Sequence, residues 1–218
     1  MMFNTKKIKA LMNDCKFYDA ELDCCKLFSD WAYPMPTLQP CVEGACGKYK
    51  PTIKVELIKY PTAEDWKLCK QCALVTVGKD IKTEPTMEWK HDILEARHSP
   101  IRVLNFMFRL EIPYWVSVHL CRHIHAQPFV KSQRNDRQSK YDRNSAPQNE
   151  MVTMIWYMNA EELMIVANKR LCKQASEETR EVVWAMCDEV LKVCPEFEGL
   201  LVPMCKYHNG KCHEMFPC

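Results

Sequence analysis

A chain of 218 residues, 47% hydrophobic and 27% charged, has room for one sizeable core and the composition of a globular protein. Its formal charge of +2 gives no general pull toward nucleic acid or a membrane surface, and neither is expected as a partner. Five glycines against 13 prolines argue against a glycine-rich phosphate loop, and no apolar run approaches the roughly 20 residues that span a bilayer.

The first residues, Met1 to Cys15, carry lysines without the long apolar stretch and small-residue cleavage site of a secretory signal, so a cytoplasmic protein is expected. Residues 1–50 read as a cysteine-rich extension of one or two helices and a loop, with prolines at 34, 36 and 40. Residues 51–200 form the main domain and 201–218 a Cys/His-rich tail. The 14 cysteines are not expected to form a disulfide scaffold in a reducing compartment. Cys121, Cys187 and Cys194 occupy apolar helical positions and read as small core residues. Cys69-x-x-Cys72 lies within a helix rather than a knuckle. The tail from Cys205 through His208 and Cys212 to His213 offers ligands that zinc could use. With no paired Cys-x-x-Cys units, however, no metal site is expected.

Ile53, Val55 and Leu57 alternate with Lys54 and Glu56, as in a strand with one buried face. Thr62 and Asp65 then provide a helix start, and a second helix follows Pro85-Thr86 and ends near Arg97. From Val103 to Ile112, Leu104, Phe106, Phe108, Leu110 and Ile112 share one strand face. Pro113 ends that strand. Trp115, Val118 and Arg122 then recur at helical spacing, which places Arg122 and His123 at a helix C-terminus. Lys131 to Asn149 is polar and has no apolar period. One helix is expected around Val152 to Ala167, and another from Glu177 to Cys194, buried along Val182, Val183, Met186, Val190 and Cys194 and stopped by Pro195. Strands followed by helices make this an α+β protein.

The chemistry-bearing stretch is Arg122-His-Ile-His-Ala-Gln-Pro-Phe-Val-Lys-Ser-Gln-Arg-Asn-Asp-Arg137, with a further arginine at 143. Arginines on a polar loop suit phosphate, because a planar guanidinium pairs with two oxygens at once. On charge alone, a solvated basic loop fits the same residues.

The spacing of these residues resembles the flavin-dependent thymidylate synthase family. That family carries Arg-His-Arg, seven residues, then Ser-x-Arg-Tyr; here Arg122-His123-Ile124 is followed after seven residues by Ser132-Gln133-Arg134-Asn135. His98-Ser99-Pro100-Ile101-Arg102-Val103 is similar to its His-x-[Ser/Thr]-Pro-Phe-Glu-His segment, which also leads into an aromatic strand. Asn159 to Arg170 is similar to its Asn-Ala-Arg-x-Leu-x-Asn-Phe-Leu-x-Leu-Arg helix, and Arg143 stands four residues before a proline as a family arginine does. The blocks run in order over roughly residues 53 to 200.

The resemblance implies the family's fold, a mixed or antiparallel sheet with packed helices. It also implies C5 methylation of dUMP to dTMP using methylenetetrahydrofolate and reduced FAD, with NADPH regenerating the flavin, in a homotetramer. The implied dUMP contacts are His119, Arg122, Ser132, Gln133, Arg134, Arg143 and Arg170. Arg134 and Arg143 would grip the phosphate and Arg170, the catalytic residue, would polarise the base. The implied FAD contacts are Ser99, Arg122, His123 and Asn159. No cysteine is appointed as nucleophile, since the family uses none.

On the nucleotide side, His119 stands where the family has a glutamine; the other departures from the pattern fall on the flavin side. Ile124 and Glu161 stand where the family has arginines, Val130 replaces an acid, and Phe129 and Ile165 replace asparagines. A shortened stretch between Arg134 and Arg143 implies loss of a helical segment. Ile124 and Ile165 read as core residues, and Phe129 as filling space a cofactor would take or stacking on its ring. These changes leave open a hydroxymethylase of the same fold, or a catalytically silent nucleotide-binding or regulatory protein.

Overall fold

The computed structural model describes residues 52–137 and 142–217, with the backbone of Tyr18–Asp19 (β1) and Cys24–Cys25 (β2). The chain divides into two units, residues 1–53 and 54–218. In the first, β1 pairs antiparallel with β2; the helices expected there lie outside the described residues.

The second unit is built on a four-stranded antiparallel sheet in the order β3-β4-β6-β5. It has the α+β architecture expected. β3 (Lys54–Lys59) buries Val55 and Leu57 only in part, as suits an edge strand. α1 (Ala63–Val75) begins at a reciprocal cap: Thr62 Oγ1 accepts from the Asp65 amide, and the Asp65 carboxylate accepts from the Thr62 amide at 2.8 Å. α2 (Met87–Glu95) starts at Thr86, whose hydroxyl accepts from the Trp89 amide at 3.2 Å. A 3₁₀ turn, Ser99–Val103, then leads into β4 (Asn105–Pro113). Phe106, Phe108, Leu110 and Ile112 all lie on its buried face.

α3 (Tyr114–Leu120) buries Val116, Ser117 and Leu120. The expected stripe through Trp115 and Val118 is therefore displaced by one position: Val118 is exposed and Trp115 half-buried. Cys121, expected in the core, is exposed because the helix has already ended and the chain is turning outward. Cys69, Cys187 and Cys194 are buried.

The largest correction concerns Val152 to Ala167. Its first half is a strand, β6 (Met151–Asn159), and the helix, α4 (Ala160–Arg170), starts only after Asn159. Val152, Met154, Trp156 and Met158 alternate into the core, giving the period of two that defines a strand. The other face, with Ile155 and Tyr157, is half-buried and also apolar, which hides that alternation in the sequence. Asn159 makes the switch abrupt: its Oδ1 accepts from the Glu162 amide at 2.9 Å, capping the helix. A short strand not expected from the sequence, β5 (Gln127–Val130), pairs with β6 at the sheet edge, where Pro128 is tolerated. α5 (Glu177–Val193) buries Val182, Val183, Met186 and Val190 as expected. The chain closes with a 3₁₀ turn, Pro195–Phe197, and a single helical turn, α6 (Met204–Tyr207). Phe197 meets Phe106 edge-on, with ring centroids 5.5 Å apart. No described helix is long and apolar enough to cross a membrane.

Candidate nucleotide site

Helix α4 carries the centre of the site at both ends. Its first turn presents Glu162, which is buried, and its last residue is Arg170. Between them lies His123, delivered by the turn after α3 and only 8% exposed. Glu162 Oε1 stands 2.9 Å from His123 Nδ1, and Arg170 Nε donates to His123 Nε2 at 2.9 Å. A guanidinium can only donate, so Nε2 is the accepting nitrogen and Nδ1 carries the proton directed at Glu162. Trp156 of β6 meets the imidazole edge-on at 6.0 Å and limits its rotation. Arg170 also donates from Nη2 to the His119 carbonyl at 3.2 Å. The guanidinium is thus fixed at two of its nitrogens by partners that are themselves held.

Burial pushes Arg170 below the usual arginine range, and the neighbouring Arg122 cation pushes it further. Two guanidinium groups stand close together, and the one carboxylate in this chain of bonds reaches Arg170 only through an imidazole. Such a group favours an incoming anion or a polarised oxygen. His119, expected to face nucleotide, has its ring against Trp115 at 5.4 Å and its Nδ1 3.4 Å from the Thr179 hydroxyl of α5.

A second group lies on the polar loop. Arg134 pairs with Asp136 through two bonds, Nε to Oδ1 at 2.9 Å and Nη2 to Oδ2 at 2.5 Å. The Arg134 guanidinium accordingly holds the Asp136 carboxyl below its usual range. The Arg134 amide reaches the Ser132 hydroxyl at 3.4 Å, and the Arg143 amide donates to Asn135 Oδ1 at 3.0 Å. These bonds bring the Arg143 backbone to Asn135, next to Arg134 in the chain, and Gln133 is half-buried. No described hydrogen bond or ion pair joins this loop group to Arg170.

The residues expected to hold FAD fit a flavin in part. Ser99 is exposed at the head of its 3₁₀ turn, and Arg122 is exposed beside Arg170. Asn159 and His123 are engaged within the protein, one as a helix cap and the other between Glu162 and Arg170. Glu161, an acid at an expected arginine position, does not stand as an unpaired negative charge: Arg102 grips it at 2.6 and 3.2 Å. Ile124 is not a core residue but 79% exposed in the turn after α3, and Phe129 is 63% exposed on β5. Ile165 is half-buried.

Glu162 was absent from the sequence expectation. In the first turn of a helix, an acid reads as a partner of the helix dipole; only the fold turns it inward against His123. Among the described residues, one set of His, Cys, Asp and Glu has ligand atoms within 4.8 Å of each other: His91, Asp92 and Glu95 on the surface of α2. Exposed carboxylates dominate it, and His91 Nε2 already faces the Glu198 carbonyl at 3.3 Å.

The sequence profile of the family described as thymidylate synthase complementing protein matches residues 141–196, which hold Arg143, β6, α4 and α5. The blocks around Ser99 and Arg122 fall outside that match. No curated protein sequence matches the chain. Among solved structures, thymidylate synthase X from Helicobacter pylori, with FAD and dUMP, superposes at TM-score 0.56 and 15% identity, covering 68% of this chain and 99% of its own. A UMP/dUMP methylase from Streptomyces cacaoi, bound with 5-Br dUMP, superposes at TM-score 0.53 and 15% identity, covering 69% of this chain and 97% of its own. The fold is shared with both.

Removing Glu162 tests the buried arrangement. Glu162→Ala strands the His123 Nδ1 proton in the core and is expected to destabilise the protein by about 1–3 kcal/mol. Glu162→Gln keeps an acceptor and should cost less. Urea unfolding of the two variants gives the order, and equal stabilities would contradict it.

Proposed function

We propose, for this divergent relative of the flavin-dependent thymidylate synthases, that the chain is an enzyme acting at C5 of a pyrimidine deoxynucleotide, dUMP. The observation that carries the reading is Arg170, fixed by His123 and the His119 carbonyl and set beside Arg122. A guanidinium held this way is preorganised to stabilise negative charge on a uracil oxygen, without reorganising as that charge develops. Arg122 assists on the same side, while Ser132, Arg134 and Arg143 form the phosphate clamp. Glu162 and His123 are positioning residues: they orient Arg170 and act through it.

The finer reading is methylation to dTMP from methylenetetrahydrofolate, with reduced FAD supplying the hydride and NADPH the reducing equivalents. Ser99 and Arg122 would hold the flavin, and the replaced family contacts make that hold weak. The alternative of a hydroxymethylase differs in the product, and that of a silent nucleotide-binding protein in the absence of turnover.

Nucleotide should bind more tightly than nucleoside. Calorimetry is expected to show dUMP well above uridine in affinity, with Arg143→Ala weakening dUMP by about 1.5–3 kcal/mol. Equal affinities for the two ligands would sink the phosphate clamp.

Turnover is read by tritium release from C5 of labelled dUMP in the presence of FAD, methylenetetrahydrofolate and NADPH. The activity should disappear on dialysis and return with added FAD. Arg170→Lys, which keeps the charge but loses the two-point fixation, should lower kcat on the order of 100-fold. Release of tritium at an undiminished rate in Arg170→Lys would remove that residue from the chemistry. A dUMP complex with no release at all would favour the silent protein.

No described bond joins the loop group to Arg170, and the family resemblance implies a site completed by another subunit. The exposed Ile124 and Phe129 supply apolar surface for such contacts. A symmetric assembly, a homotetramer, is proposed. Light scattering showing a monomer that still binds dUMP at full affinity would contradict it.

A further inference from the structure

At the far end of α4, thiols and imidazoles from two distant parts of the chain line one cavity of about 220 Å³. Cys172, two residues beyond Arg170, contributes a buried thiol. Cys205, His208, Cys212 and His213 contribute the rest from the tail. The sequence offered the tail ligands alone; the fold adds a thiol from more than 30 residues upstream.

The local backbone explains how these residues share one cavity. Cys205 lies in α6, and the His208 amide closes that turn on the Met204 carbonyl at 3.0 Å. Asn209 and Gly210 follow with φ of 54° and 88°, two left-handed residues in succession that reverse the chain. The Gly210 amide bonds back to the Cys205 carbonyl at 2.7 Å, and the Lys211 amide to that of His208 at 3.0 Å. The reversal brings His213 back against His208, with ring centroids 5.1 Å apart. Contacts on either side hold the tail against the domain. Tyr207 donates to the Glu95 carbonyl at 2.9 Å and lies under the Arg97 guanidinium, 4.4 Å from its ring centroid. Beyond the turn, Gln174 Nε2 donates to the Phe216 carbonyl at 2.7 Å.

We propose that Cys172, Cys205, His208 and Cys212 bind a zinc ion that ties the tail to the end of α4. Three thiols and an imidazole form one of the usual tetrahedral zinc sets, at about 2.3 Å for sulfur and 2.0–2.1 Å for nitrogen. Thiolate softness favours zinc over magnesium or calcium, which take oxygen ligands. The spacing of Cys205, His208 and Cys212, with two and three residues between, suits a turn that presents successive ligands to one ion. No three of these ligand atoms lie within 4.8 Å of one another, so the proposed site requires segment 208–212, exposed except for the half-buried Cys212, to move inward on loading. Zinc displaces the thiol protons as it binds, and the protons leave to solvent. The site is independent of the nucleotide reading.

The test uses the reduced full-length protein, loaded with zinc chloride and freed of excess by gel filtration. Zinc is expected at one equivalent above the content of the Cys205→Ser/Cys212→Ser variant, and should be unchanged in Cys24→Ser/Cys25→Ser. In the unmodified protein, zinc should slow iodoacetamide alkylation of Cys205 and Cys212 on the order of tenfold, and a chelator should reverse it. Mass spectrometry of the tail peptides reads this without any variant needing to fold. Alkylation indifferent to zinc would overturn the site, as would zinc lost only from the Cys24→Ser/Cys25→Ser protein. A Cys205–Cys212 disulfide persisting in the zinc-loaded protein would do the same.

Discussion

The antiparallel pairing of β4 with β6 is the constraint from which the rest of the domain follows. It runs without a register break from Asn105 opposite Asn159 to Pro113 opposite Met151. Because its two ends coincide, Asn159 arrives at a fixed place, where its side chain caps α4. The Ala160 amide donates to the Leu104 carbonyl at 2.8 Å and anchors the junction again. Helix direction is thereby set, and with it the burial of Glu162 and the reach of Arg170. The other end of the ladder launches α3: the Tyr114 amide donates to the Glu150 carbonyl at 2.8 Å. The turn after α3 delivers His123 to the same spot. A slip of one residue would exchange the two faces of β6 and separate Glu162 from His123.

Arg102 and Glu161 give the flavin-side departures a physical reading. In the family pattern that this chain resembles, the first position is an acid and the second an arginine. Here the signs are exchanged, and the two side chains form a bidentate ion pair. The exchange puts the carboxylate in the first turn of α4, where the helix dipole favours it, and moves the cation to the 3₁₀ turn beside Ser99. Substitutions that read one at a time as losses are, as a pair, a redistribution of charge. Both groups are partly solvated, so the pair adds little to stability.

Much of this arrangement was legible in the sequence, and what was not has identifiable causes. β4 reads as a strand because polar Asn105, Arg109 and Glu111 interrupt its apolar face. β6 does not, since Thr153 is the one polar residue between Met151 and Met158 and apolar runs carry no period of their own. The caps at Thr62 and Thr86 are local, so the helices they start are legible in the sequence. β5 is four residues long and holds a proline, which argues against a strand until the edge position is known. Arg170 and His123 were legible through motif spacing, whereas the inward face of Glu162 depends on packing 39 residues away. Cys172 shares a cavity with the tail for the same non-local reason.

Under the proposed phosphate clamp, the bond between Arg134 and Asp136 is one that an incoming anion has to displace. Asp136 is a tethered rival, two residues along the same chain, and its carboxylate occupies the fork that an incoming anion needs. Tethering keeps that rival at high effective concentration, so a dilute monoanion gains nothing by replacing it. A phosphate dianion brings more charge and a third oxygen, enough to reach Arg134 and a second donor together. On the proposed reading, the ion pair, whose side chains are both more than half exposed, biases the guanidinium toward a doubly charged ligand over chloride or a free carboxylate.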